Sequence, residues 1–387
     1  MIAAQTFSAD PTSSAKPQPP FRADHVGSLL RPPALAWARE KAEAGALGPV
    51  ELQRIEDLAI GDAVAQQEAT GLRVVSDGEF RRTYFHLDFL TRIGGIEAYI
   101  APTETHFHRA DGETLEFSPP RLKVTGRLQR TGPIMRRDFE VLAAAASPAS
   151  AAKITIPSPS MGLRGGREAV DVGAYPELAD FHADLARVYR EEIADLADAG
   201  CRYLQLDDTN LAYLCDPARR EAMGGAGQDP DEEARVSARL INQSLAAAPA
   251  EMFRAIHLCR GNFRSAFVAE GSYEPVAELL FGTIEVDAFL LEYDDQRSGS
   301  FEPLRFLPPG KLAVLGLVCS KTGLLESKDE IRRRVDEAAR FAPLEQLCLS
   351  PQCGFASTCH GNDISFDDQR RKLELVVECA EAIWGSA

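Results

Sequence analysis

No stretch of this chain stays apolar for the ~18 residues that a bilayer-spanning helix needs, which argues against a membrane span. Cationic residues are few, 42 Lys and Arg against 58 Asp and Glu, for a formal net charge of −16. No basic cluster forms, which argues against a nucleic-acid partner. Tryptophan is reduced to Trp37 and Trp384, and no Gly-rich dinucleotide-type loop follows the first candidate strand. Residues 1–20 are rich in Ala, Ser, Thr and Pro but lack a basic start followed by an apolar stretch. They are expected to be a disordered leader rather than a secretory signal. The eight cysteines are irregularly spaced in 387 residues. A core of this size needs no disulfide staples, so reduced thiols and a cytoplasmic location are expected.

What is present is a repeated alternation. Strand-like apolar runs occur at residues 22–28, 72–79, 153–158, 203–208, 253–259, 288–293, 311–318 and 347–353. Helical periodicity fills 34–70, 180–199, 232–247, 273–281, 327–341 and 367–383, with Ser327 and Glu330 spaced as a capping box. Eight strand–helix units predict an α/β fold, a single (β/α)8 TIM-type barrel over residues 21–387. An open doubly wound sheet is the alternative, weakened by the missing Gly-rich loop. Residues 85–140 interrupt the alternation with mixed polar and aromatic sequence, and are expected to be an insertion after the second strand, of hairpin type, over the barrel mouth. The Gly/Asp-rich stretch 216–231 is expected to be a loop able to act as a lid.

The polar residues fall where such a barrel places its chemistry, at the C-terminal ends of strands. Ser28, Asp77 and Glu79, Asp207 and Asp208, His257 and Cys259, Glu292 and Cys353 end six different strands. His257 and Cys259 are two apart on one strand, so both point to the same side. With Glu292 and Cys353 they make a set of two thiols, an imidazole and a carboxylate, which suits Zn2+. Spacing alone also allows a hydrogen-bonded barrel histidine and a small buried cysteine. Two thiolates and a carboxylate over-neutralise the ion, which favours holding a substrate thiolate over generating hydroxide.

The segments RADHVGSLLRP (22–32), VVSDGEFRRTYFH (74–86), YLQLDDTNL (203–211), HLCRGNFRS (257–265), LLEYDDQRSG (290–299) and LCLSPQCGFAST (347–358) resemble the catalytic barrel of the cobalamin-independent methionine synthase family, in its short single-barrel form. The resemblance implies a zinc-dependent methyltransferase with His257, Cys259, Glu292 and Cys353 as ligands. It implies a homocysteine site at Ser28, Glu79 and Asp207, the two acids holding the ammonium and the serine region the carboxylate. Asp207, Glu79 and Cys319 are the candidate catalytic residues, and His25, Arg260 and Asn262 are further candidates for substrate contact or ligand orientation. Methionine from L-homocysteine is the expected product.

Two departures bear on the donor. The third-strand region TIPSPSMGLRGG (155–166) has no tryptophan where the family sets one against a folate ring, and Cys319 in LVCSKTG stands where the family has a catalytic histidine. Cys319 is either an inert buried thiol or a neighbour of the zinc. The methyl donor is therefore open between methyl-folate and methylcobalamin or a corrinoid protein. Alkyl transfer to another thiol from an epoxide or thioether is the alternative, since epoxyalkane–coenzyme M transferase looks similar. A homo-oligomer is compatible with the sequence.

Overall fold

Six of the eight expected strands form one parallel sheet in the computed structural model, which describes residues 19–100, 105–109 and 112–387. In order across the sheet they are Leu347–Pro351, Leu312–Val318, Ala288–Glu292, Phe253–Leu258, Tyr203–Asp208 and Ile154–Pro157. Every neighbouring pair is parallel and consecutive in sequence. The residues expected as a leader lie, up to 18, outside the described residues. Helices Leu178–Asp198, Pro230–Leu245, Glu274–Thr283, Lys328–Ala338 and Phe366–Trp384 follow the strands as expected. Only short 3-10 turns separate Ala288–Glu292 from Leu312–Val318. Among the described residues no helix is long and apolar enough to cross a membrane.

Strand alternation divides the side chains into two sets. Leu204, Leu206, Ile256, Leu258, Phe289, Leu291, Ala313 and Leu315 join the large core that packs under the helices. Tyr203, Ala255, Ala288, Leu290, Val314 and Cys348 form a second buried cluster on the other face, with Phe21, Val26 and Val74. Asp207, His257 and Glu292 share the parity of this second set.

The two expected N-terminal strands are much shorter than the sequence suggests. Residues 22–28 touch the last strand through one parallel bridge, Ala23 to Leu349, with Asp24 N donating to Leu349 O at 2.9 Å. Ser28 bridges Gly78, and the second strand is only Val74–Val75, paired with Ala151–Ala152. Glycine conformations explain the shortening: Gly27 has φ 132° and Gly78 has φ 65°, and the non-glycine Glu79 follows at φ 59°. Lys153 N donates to Val75 O at 2.8 Å, just ahead of the Ile154–Pro157 strand. The contacts thus run from one edge of the six-stranded sheet through the N-terminal segments to the other edge.

Other boundaries also shift. The expected helix at 34–70 is two helices, Pro33–Glu43 and Pro49–Ala69, parted by a turn with Gly45 at φ 71° and restarted by a proline in the first helical turn. The stretch 216–231 is not an open loop: Asp216 caps a helix, Pro217–Gly225, through Ala218 N and Arg219 N. Ser327 accepts from Glu330 N, while the reciprocal capping box is at Ser365 and Asp368. Within 85–140, Ile93–Tyr99 pairs antiparallel with Arg121–Arg130, and Thr105–His108 with Thr114–Phe117.

A buried ion pair lies between the N-terminal segment and the sheet. Lys153 Nζ meets Asp24 Oδ1 at 2.7 Å, and the Tyr203 hydroxyl donates to Asp24 Oδ2 at 2.5 Å. Lys153 is fully buried. Removing one partner strands the other charge, at a cost of about 3–5 kcal/mol. Asp24→Ala is expected to lower the urea midpoint accordingly, followed by circular dichroism; a shift worth under about 1 kcal/mol would mean Asp24 is not holding Lys153.

Candidate functional site

The strand ends converge on a cavity of about 1100 Å³ whose wall includes Ser28, Glu79, Asp207, His257, Cys259, Asn262 and Cys353. The register explains the convergence. Asp207 stands opposite His257 across one strand pair and Leu290 opposite His257 across the next, so Glu292 comes one step beyond on the same face. Cys353 arrives from the loop after the last strand. That loop comes close because Gly316 has no side chain: a Cβ there would lie 2.6 Å from Gln352 Cα and 2.7 Å from Leu291 O.

The side chains of His257, Cys259, Glu292 and Cys353 are buried, and one ligand atom from each lies within 4.8 Å of all the others. The His257 Nδ1 is 3.2 Å from Leu290 O, which it meets as a donor when it carries the ring proton, leaving Nε2 as a free acceptor. That Nε2 and Glu292 Oε2 are both buried with no hydrogen-bonding partner. Glu292 Oε1 accepts from Arg260 N at 2.7 Å, and Lys321 Nζ stands 3.9 Å from Oε2. Unpartnered buried acceptors are rare and costly, and a cation among these four residues would satisfy both. Two sulfurs, one imidazole nitrogen and one carboxylate oxygen fit zinc.

The two sulfurs are 3.4 Å apart, within hydrogen-bonding reach of one another. Hydrogen bonding from Cys259 holds Cys353 well below the usual thiol range, and the same contact, with burial, pushes Cys259 well above it. Burial works against a charged His257, but Cys353, Asp207 and Glu292 outweigh it and raise its pKa. Burial raises Glu292, against the pull of Lys321.

Glu79 and Asp207 form the cavity's acidic corner. Glu79 Oε1 accepts from Thr155 Oγ1 at 3.0 Å and lies 3.7 Å from Arg82, while Oε2 has no partner. Asp207 Oδ1 accepts from Gln205 Nε2 at 2.7 Å. Burial and then the neighbouring Glu79 push Asp207 up to about 7. Burial likewise raises Glu79, against Arg82. Two buried carboxylates side by side are electrostatically suited to a positive group between them. Ser28 is adjacent through Gly354, where any Cβ would collide with the Ser28 hydroxyl, and Phe355 N donates to Ser28 O at 2.9 Å.

Three sequence candidates are placed elsewhere. His25 does not line the cavity: it has the opposite parity to Val26 and Ser28, and burial, then Lys153, lowers its pKa to about 3. Cys319 sits by Asp294, outside the four-residue cluster and not in the cavity wall; burial raises it to about 12. Arg260 points away from the cavity, into Tyr273 Oη at 2.8 Å, Gly271 O at 2.8 Å and Glu292 O at 3.1 Å. It braces the strand end that carries Glu292. Asn262 does face the cavity and donates to Gly354 O at 2.8 Å.

The structure adds residues that the sequence did not single out. Tyr273 Oη accepts from Glu292 N at 2.9 Å. Arg82, in DGEFRR, donates to Thr155 O at 2.6 Å beside Glu79. From the hairpin, Phe107 and Phe117 pack on Phe263 with ring centroids 5.0 and 4.3 Å away, roofing the cavity. Their aromatic spacing in the interruption was the available signal. His106 and His108, by contrast, do not line the cavity, whereas His86 does.

The profile of the family described as cobalamin-independent synthase, catalytic domain, matches residues 21–381. The chain belongs to this family. It is 42% identical to the uncharacterized protein YxjH of Bacillus subtilis over 99% of this chain and 100% of that one. It is 24% identical to a methionine synthase of Saccharolobus solfataricus over 85% and 86% of the two chains. Among solved structures, a putative vitamin-B12-independent methionine synthase from Listeria monocytogenes superposes with a TM-score of 0.76 at 36% identity, covering 96% of this chain and 100% of that one. A B12-independent methionine synthase from a Shewanella strain, in complex with selenomethionine, shares the fold with a TM-score of 0.69 at 19% identity, over 94% and 97%. Short chains of this size thus occur in the family, a methyltransferase family related to methionine synthase.

Gly316→Ala is expected to push the 351–353 segment outward and separate Cys353 from Cys259. Overpacking of this kind costs about 1–3 kcal/mol. A fall in both the thermal midpoint and the zinc content per chain checks it; unchanged values for both would show that the close approach at Gly316 does not set the cluster.

Proposed function

We propose that this chain is a zinc-dependent S-methyltransferase that binds L-homocysteine and methylates its sulfur to give methionine. The observation that carries the reading is the juxtaposition, in one cavity, of a four-residue set suited to zinc and a two-carboxylate corner suited to an ammonium. We further read the chain of strand contacts, from the sheet edge through residues 22–28 and 74–75 back to 151–153, as a closed (β/α)8 barrel over residues 21–387, with 85–140 as its insertion.

In this reading His257, Cys259, Glu292 and Cys353 hold the zinc. When bound, zinc supplies the positive charge that favours a deprotonated substrate thiol near neutral pH, where a free thiol of pKa ~8.5 is mostly protonated. Glu79 and Asp207 take the amino acid's ammonium, and the Ser28 region takes its carboxylate, so the sulfur is aimed at the cysteine pair. Arg82 and Thr155 fix Glu79, and Gln205 fixes Asp207. Arg260 and Tyr273 keep Glu292 in place. Phe107, Phe117 and Phe263 keep water from the cavity roof. The substrate thiol gives its proton to solvent, its sulfur lone pair forms the new S–C bond, and the pair of the breaking bond leaves with the methyl donor. Positioning is the main contribution of the protein to such a displacement.

Zinc K-edge X-ray absorption with and without L-homocysteine tests the acceptor. An increase from about two to about three sulfur neighbours at ~2.3 Å is expected. No change with zinc present would reject homocysteine and turn attention to another thiol with an epoxide or thioether. Asp207→Asn removes one charged partner of the ammonium, a contact worth about 1.5–3 kcal/mol. It is expected to raise the apparent Kd for homocysteine roughly ten- to a hundredfold while leaving zinc content intact. Equal binding by the variant would remove Asp207 from the acceptor site.

A further inference from the structure

The same cavity has a second, basic end that the acceptor does not use. Arg121, Arg164, Arg167 and Arg219 all line it, and among the described residues none of the four forms an ion pair. Arg121 and Arg219 are exposed and Arg164 and Arg167 half-buried, whereas the side chain of Arg81 is matched by Glu56, Asp57 and Asp138. Arg164 is held by neutral groups, Asn210 Oδ1 at 2.9 Å and the Thr209 hydroxyl, and Asn210 is itself fixed by donating to Ser160 O at 2.6 Å. Arg167 donates through Nη2 to Tyr175 O at 2.7 Å, leaving a buried Nη1 with no partner. Arg219 rises from the helix capped by Asp216, and its guanidinium lies over the Tyr213 ring, 4.5 Å from the centroid. The cavity carboxylates at this end, Glu168 and Glu233, form no ion pair with these arginines; Glu233 is near enough for Arg219 to oppose the upward shift that burial gives it.

Tyr213 joins this end to the thiol end. Its ring also carries Arg164 at 5.3 Å, and a Cβ at Gly261, two residues beyond Cys259, would lie 3.2 Å from its hydroxyl. Arg164 and Arg219 therefore share with the neighbourhood of Cys259 the side chain of Tyr213. Asp208 and Glu233 are near enough to interact electrostatically with Arg164 and Arg219 but close no ion pair with them, and guanidinium forks left without a direct carboxylate partner fit a planar or tetrahedral oxyanion.

We propose that Arg164, Arg167 and Arg219 are the receptor for a carboxylate or phosphate on the alkyl donor, anchoring that end while the transferred carbon faces the sulfur of the acceptor. The donor's anionic group is thus bound inside this chain's own cavity, by the loop after Ile154–Pro157 and the helix Pro217–Gly225. The assignment rests on the alkyl-transfer reading above.

The test is isothermal titration calorimetry of the zinc-loaded full chain with glutarate, inorganic phosphate and neutral glutaramide, on the native protein and on Arg219→Gln and Arg219→Lys. Among the described residues Arg219 makes no side-chain hydrogen bond, so neither variant removes one from the described fold. At least one anion is expected to bind, with glutaramide weaker by tenfold or more, and the preferred anion separates a carboxylate from a phosphate. R219Q is expected to weaken that anion at least tenfold and R219K to restore part of the loss. Absence of anion binding in the native protein, or equal binding in R219Q, overturns the proposal. X-ray absorption on R219Q separates the two readings: homocysteine should still add its sulfur to zinc. If it adds none even in the native protein while R219Q still loses the anion, the methyl-transfer reading fails and the anion site stands.

Discussion

Everything at the cavity depends on the two-residue alternation of parallel strands held in fixed register. Asp207, His257 and Glu292 reach one space because each lies an even number of residues from a side chain in the inner apolar cluster: Tyr203, Ala255 and Ala288. A slip of one residue in any strand would send the polar group under the helices and a leucine into the cavity. The large outer core, with Leu206, Ile256, Leu258, Phe289 and Leu291 at zero or one per cent exposure, makes such a slip costly. Hydrophobic packing on one face thus fixes the position of carboxylate, imidazole and thiol on the other, and those groups accept burial that isolated charges would resist.

This dependence explains which parts were legible beforehand. Parity is visible in a sequence, so His257 and Cys259 could be paired, and the residues ending successive strands could be gathered at one end. The same parity argument, applied to residues 24–28, would have turned His25 away from Ser28. Strand length was harder to see, because Gly27, Gly78 and Glu79 leave extended geometry at positions whose side chains give no sign of it. The helix at Pro217–Gly225 was hidden by a glycine- and aspartate-rich composition, although Asp216 followed by proline is a regular helix start. Arg260 and Tyr273 show the other limit. Their partnership joins two segments thirteen residues apart through a strand end, and no periodicity reveals it.

The cavity is also divided by polarity. Sulfur and carboxylate gather at the ends of the central strands, while unpaired guanidinium groups come from the surrounding loops and one short helix. The hairpin closes over both, tied down by the reciprocal backbone bonds between His108 and Phe267, at 2.7 and 2.9 Å, and by the Arg109–Asp363 ion pair at 2.6 Å. A roof attached by a few contacts to loops that carry site residues couples access to the cavity with the positions of those loops.

The order of the chain has a consequence for its synthesis. Cys353 lies ninety-four residues after Cys259, and the last strand meets residues near the N-terminus through Ala23 and Leu349. A chain still being made at the ribosome can present His257 and Cys259 but cannot yet supply the fourth member of the set. Nor can its N-terminal segment find the strand that finishes the sheet. A half-built chain therefore holds only part of the four-residue set, and the set is complete only when the last strand has met the N-terminal segment.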